Sequence, residues 1–169
     1  MNEDEIVARV REHVAESEDA LPPAPPELVA ELEALVGHPM PRLLKRIYLE
    51  VADGGFGRWG NALSFTDEDY RFSEAGPLIQ TYRRWAMTPN YPTPVVPLLT
   101  WGCAIWSFVD FSSPEGRMWG WDPNVRRCPR HKLFREDATL AERLVDWLDG
   151  RDDEERFPWP SSSIVCEDC

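Results

Sequence analysis

The stretch VADGGFGRWGNALSF, residues 51–65, places four glycines within the seven positions 54–60. Glycine takes positive φ without steric penalty, so a run this dense marks a chain that must turn sharply. The residues before it have helical periodicity. Leu43, Leu44, Ile47 and Val51 form an inner face behind Pro39 and Pro41, and Gly54 or Gly55 supplies the left-handed residue that stops the helix. The residues after it, ALSF at 62–65, read as a short strand. This order excludes two phosphate-binding loops. A P-loop follows a strand and ends in Lys-Ser/Thr, and no lysine lies in or beside this loop. Gly55-x-Gly57-x-x-Gly60 has the dinucleotide spacing, but that fingerprint needs a strand before it and a helix after it. The glycines are conformational, carrying the chain from a helix to a sheet edge.

The rest of the chain has the same punctuation. Ile6, Val7, Val10 and Val14 predict an amphipathic helix over 3–18. LPPAPP at 21–26 breaks it, and Pro26 opens a second helix with a stripe of Leu28, Leu32, Leu35 and Val36, ended by Gly37. Leu78, Ile79, Tyr82 and Trp85 predict a helix over 76–86. PVVPLLTWGCAIWSFVDFSS reads as two strands meeting near Trp101 and Gly102, with Ile105 and Phe108 on opposite faces of a strand covered on both sides. GRMWGWD and HKLFRED follow as further strands. Leu140, Leu144, Val145 and Leu148 mark a closing helix capped by Gly150. Helices, then an antiparallel and mainly meander sheet, then a C-terminal helix predict an α+β fold. The organisation read from this is an N-terminal helical extension at 1–20, one domain at 21–150 and an acidic tail at 151–169.

A chain of 169 residues can bury a core without staples. No apolar run reaches the roughly 20 residues that span a bilayer, and the acidic N-terminus does not resemble a secretory signal. The expectation is a cytoplasmic protein with no membrane partner. The net charge of −12 is uneven: residues 1–36 hold ten acids and two bases, residues 150–169 six acids and two bases, and the middle is neutral. Acidic ends argue against nucleic acid and fit a basic protein partner or simple solubility. The basic cluster Arg126, Arg127, Arg130, Lys132 and Arg135 is read as pairing with acids of the same chain rather than with phosphate.

No catalytic pattern stands out. The histidines are His13, His38 and His131, without a G-x-S-x-G or H-E-x-x-H setting. Cys103, within an apolar strand, reads as a buried inert thiol. Asp53, Asp110 and Asp122 could pair as acid and base, but aspartates near element ends more often cap turns. Cys128-x-x-His131 and Cys166-x-x-Cys169 have the ligand types and pair spacing of a structural zinc site. Free thiols are nevertheless the favoured reading, a structural zinc is the second and a Cys166–Cys169 disulfide the third, so no cofactor is expected.

PRLLKRIYLEVADGGFG, VVPLLTWGCAIWSFVDFSS and GRMWGWDP, taken in order, resemble the SUKH superfamily, which includes the yeast Smi/Knr cell-wall regulators and many bacterial immunity proteins. The matching positions are Asp53-Gly54-Gly55 with Gly57, then Trp101-Gly102-Cys103, then Asp110. Ala104 departs from a frequent glycine, and the helix at 3–18 is an addition. The resemblance implies a non-enzymatic binding fold that neutralises a cognate toxin, often a nuclease or deaminase, or that acts as a regulatory module without one. Interface anchors favour aromatics and charge, which selects Trp59, Asp67, Glu68, Asp69 and Tyr70 as partner-binding residues.

Overall fold

The structure is a computed structural model that describes residues 1–69, 74–124 and 132–151. Among the described residues, four α-helices precede the first strand. Helix α1 (Glu3–Ala15) starts on a capping box, in which Asn2 Oδ1 accepts from the Glu5 amide at 3.0 Å and Glu5 Oε2 accepts from the Asn2 amide at 2.9 Å. It buries Ile6, Val7, Val10 and Val14 in the same apolar cluster as the later helices, so the segment set apart as 1–20 shares the main core. It ends three residues before the expected 18, where the Glu16 and Ser17 amides turn onto the carbonyls of His13 and Val14.

Helix α2 (Pro26–Val36) has Pro26 in its first turn and Gly37 at φ 76° as its left-handed stop. Its buried row is Val29, Leu32 and Val36. The sequence pattern misplaced this face by part of a turn: Leu28 is only partly buried and Leu35 is 39% exposed. Helix α3 (Arg42–Glu50) buries Leu43, Leu44 and Ile47 as expected, with Tyr48 in place of Val51. Tyr48 stands edge-on to Phe56 and Phe65, with centroids 5.3 and 5.0 Å away, and its hydroxyl donates to the Leu63 carbonyl at 2.7 Å. Burial, with the Asp53 charge adding to it, pushes this phenol well above its ordinary range.

The helix stops at Glu50, before the glycines, so these have another task. Asp53 is 1% exposed, and its carboxylate accepts from Ser64 Oγ (2.8 Å), the amides of Phe65 (2.8 Å) and Thr66 (3.0 Å), and Thr66 Oγ1 (2.6 Å). The Asp53 amide donates to Pro22 O at 3.0 Å. Gly54, at φ 82°, lets this strand of loop lie flat against its partner: a Cβ there would sit 2.8 Å from Ala62 O and from Ser64 N. Residues 62–65 are consequently not a strand. The Ala62 amide goes to Phe56 O and those of Phe65 and Thr66 to Asp53, which leaves one bridge, Ala62 to Leu99, and one bond from the Leu63 amide to Leu98 O.

Helix α4 (Leu78–Ala86) follows, then four antiparallel strands in the order β1 (Val95–Gly102), β2 (Ile105–Asp110), β3 (Arg117–Trp121), β4 (Leu133–Thr139). Helix α5 (Leu140–Leu148) closes the domain on a second capping box, Thr139 with Glu142. The α+β class and the meander are as the element order predicts. The sheet is covered on both faces. Val96, Val109 and Met118 join the core beneath the helices, while Phe108, 0% exposed, is sealed on the other face by Trp85 and Tyr91. Cys103 is not the buried thiol that its apolar neighbours suggest. Gly102 pairs with Ile105, so Cys103 and Ala104 form a two-residue hairpin loop with φ of 51° and 62°, and Cys103 is exposed. Both φ values are positive, as in the turn that favours Asn-Gly.

Two stability predictions follow from these loops. Asp53→Ala takes the acceptor from Ser64 Oγ, the Phe65 amide and Thr66 Oγ1, while the Thr66 amide keeps Ser64 Oγ at 2.9 Å, and Gly54→Ala drives a Cβ into backbone; each is expected to cost about 3 kcal/mol or more. Denaturant unfolding measures it, and a loss below about 1 kcal/mol in both would contradict the role of the loop. In the other direction, Cys103→Asn with Ala104→Gly removes two strained residues and should stabilise by about 1 kcal/mol, raising Tm by about 2–4 °C. An unchanged or lower Tm would show that the hairpin is not strained.

Candidate functional site

The glycine loop ends in a surface feature. Gly57, at φ 76°, brings the chain against Leu99, where a Cβ would meet a methyl at 2.9 Å. One 3-10 turn, Arg58–Gly60, then lifts Trp59 out of the fold. Trp59 is 61% exposed and has φ 55°. For a bulky L-residue this left-handed conformation costs about 1–2 kcal/mol, and little burial offsets it. Strain of this kind persists where the surroundings impose it, commonly at functional sites.

The surroundings are specific. The Trp59 ring stands at 75° to Trp101, with centroids 6.2 Å apart, and the Arg58 guanidinium lies 4.4 Å from the first ring and 5.2 Å from the second. Trp101 is fixed in turn, its indole N–H donating to Ser107 Oγ at 2.8 Å. Asn61 Nδ2 donates to Thr100 O at 3.2 Å, tying the loop to β1. Beside Trp59 opens a cleft of about 300 Å³, walled by His13, Glu16, Gly55, Gly57 and Trp147. His13 meets Trp147 edge-on, with centroids 4.6 Å apart. Beneath the loop is a small cavity of about 30 Å³ between Phe56, Arg58, Trp101, Ser107, Arg143 and Trp147.

Of the residues selected from sequence, Trp59 is exposed as an anchor should be, and Glu68 and Asp69 are exposed. Asp67 is a correction: it is 7% exposed, and its amide donates to Ser64 Oγ at 2.9 Å within the Asp53 loop. Tyr70 lies outside the described residues, as do Cys128, His131, Cys166 and Cys169, so the zinc reading falls there too. Among the described residues no three His, Cys, Asp or Glu side chains gather as metal ligands. Each of the three candidate acid–base carboxylates organises local backbone or side chains. Asp53 holds its loop, Asp110 accepts from the Ser112 amide at 2.9 Å and from the Trp119 indole at 3.3 Å, and Asp122 accepts from the Asn124 amide at 2.8 Å.

The sequence reading missed a second aromatic surface. Trp106, Phe108, Trp119 and Trp121 share the sheet face away from the helical core, and Trp85 packs against Trp106, Phe108 and Trp121 at 5.1–5.8 Å. The signal was present, because Trp106/Phe108 and Trp119/Trp121 are spaced by two within strands. Arg135 lies 5.1 Å from the Trp119 centroid. Also missed was the buried pair behind the site. Glu136 on β4 is 2% exposed and accepts from Arg143 Nε at 2.8 Å and from Arg143 Nη2, while its Oε1 has no partner among the described residues. Burial raises this carboxyl above its ordinary range, against the opposing pull of Arg143.

Comparison of the chain with models of known protein families, with curated proteins and with solved structures finds no match.

The raised Glu136 carboxyl sets a pH dependence. Between its unfolded and its folded pKa, the folded state keeps a proton that the unfolded state has lost. Its contribution to stability is therefore greatest below the ordinary carboxylate range and is lost as pH rises through the raised value. The stability of the wild type minus that of Glu136→Gln is expected to fall as pH rises from about 4 to 8, read by denaturant unfolding at each pH. A difference that is flat or rises with pH would refute it.

Proposed function

We propose that this chain is a non-enzymatic protein-binding domain of the SUKH type, an immunity protein that binds and neutralises a cognate toxin in the cytoplasm. The observation that carries the reading is Trp59: a large aromatic, 61% exposed, held in a left-handed conformation by the glycine loop and clamped by Arg58 and Trp101. Folding gains little from presenting it this way, whereas binding gains a rigid anchor, and Trp and Arg are the residue types that dominate interface energetics. Rigid presentation also lowers the entropy lost on association. The net charge of −12 favours a basic toxin domain as partner. No helix among the described residues is long and apolar enough to cross a membrane.

The test is co-expression with the product of the neighbouring gene, with capture of the complex and assay of toxicity. A one-to-one complex that abolishes toxicity is the expected result. Trp59→Gly should weaken that complex by about 2 kcal/mol, roughly 30-fold in Kd. It should leave stability within about 1 kcal/mol of wild type, because relief of strain offsets the lost ring contacts. Full binding by this variant would remove Trp59 as the anchor. A partner that is bound but is not toxic would instead mark a regulatory module.

A further inference from the structure

We infer that the cleft between Trp59 and the end of α1 receives a basic side chain, an arginine or lysine, of the protein partner. The inference rests on the protein-binding reading and assigns that site its chemistry. It begins from a local rule that this sequence breaks. A helix carries partial positive charge at its N-terminus and partial negative charge at its C-terminus, so acids suit the first turn and bases the last. In α1 the first turn obeys, with Glu3, Asp4 and Glu5. The other end does not. Glu12, Glu16, Glu18 and Asp19 crowd the negative pole, and His13 is the one base of the last turn.

All four acids are exposed, and among the described residues none has a basic side chain within ion-pair distance. Of the acids elsewhere on α1 and α2, Glu5 closes the N-terminal capping box, Glu27 stands alone on the surface among the described residues, and the other four are paired. Glu3 meets Arg42, Asp4 meets Arg46, Glu31 meets Arg83 and Glu33 meets Lys45. Places where a sequence breaks a local rule without internal compensation are where function is expected.

The geometry then turns this charge toward the anchor. Glu16 lines the same cleft of about 300 Å³ as Trp59 and Trp147. A cation entering there meets the Glu16 carboxylate at the negative end of α1, beside the rings of Trp59, Trp147 and His13, and a carboxylate next to aromatic rings suits a guanidinium or ammonium group. Arg58 already lies over the Trp59 ring, so the incoming cation takes the Glu16 side of the cleft.

The experiment titrates the full chain with an acetylated, amidated hexa-arginine peptide and follows the tryptophan indole N–H resonances by NMR. The expected result is saturable movement of the Trp59 and Trp147 resonances. Glu16→Gln and Trp59→Gly should each weaken binding about tenfold. Glu27→Gln removes the same charge from an exposed site on α2 outside the cleft and should change it less than about twofold. No binding at millimolar peptide, or equal weakening by Glu27→Gln and Glu16→Gln, overturns the inference, the second because it shows diffuse attraction to an acidic chain. Failure here is separable from failure of the protein-binding reading. A captured partner that Trp59→Gly releases and Glu16→Gln does not would overturn the cation site alone.

Discussion

One buried carboxylate fixes how the helical half of this domain meets the sheet. Asp53 accepts four hydrogen bonds from residues 64–66, and its own amide is held by Pro22 in the segment between α1 and α2. Satisfying a buried carboxylate with this many donors is what makes its burial tolerable. The effects spread along the chain. With its amides committed, segment 62–66 makes little ladder with β1, and the Ser64 carbonyl accepts from the Leu78 amide at the start of α4. The close approach at Gly54 permits this arrangement, and a side chain there would separate the two halves of the loop. Everything between residues 53 and 66, including Trp59, is therefore positioned from its base.

A rigid base allows strain at the edge. Trp59, Cys103 and Ala104 all have positive φ, and the first stands against Trp101, two residues before the hairpin loop that holds the other two. Asn90 shares the conformation, but asparagine tolerates it. Two loops from different parts of the chain thus carry their unfavourable backbone in the same neighbourhood, around the end of β1. Strain can be held only where packing over-determines the geometry, and the Arg58, Asn61 and Trp101 contacts supply that packing.

The sequence was legible where periodicity speaks. The helices, the hairpin at 95–110 and the closing helix follow from repeats of 3.6 and 2. It was less legible where a side chain competes for backbone amides. ALSF has strand composition, yet the amides of Phe65 and Thr66 belong to a carboxylate 12 and 13 residues earlier, which no local pattern reveals. Cys103 shows the same limit: its neighbours are apolar, and only the pairing of Gly102 with Ile105 places it in a turn. Asp67 is selected from sequence as a partner-binding acid, and its burial follows from the loop around Asp53. Trp59 was legible as an exposed aromatic candidate, whereas its strain and its clamp needed the three-dimensional loop.

Charge shows why composition alone points to a partner without locating it. A net charge of −12 describes a field, and a field steers association without choosing a surface. Ion pairs divide that charge. Glu3 and Asp4 dock α1 onto Arg42 and Arg46 of α3, and Arg9 returns from α1 to Asp149 at 2.8 Å and to the Leu148 carbonyl at 2.9 Å at the end of α5. Exposed pairs of this kind add little stability, so their effect lies in orientation: they set how α1 rests on α3 and α5. That orientation carries the last turn of α1 to the glycine loop, where His13 meets Trp147 and Glu16 joins the wall of the Trp59 cleft. The acids at the start of α1 thus hold the helix in place, and those at its end give the Trp59 edge its sign.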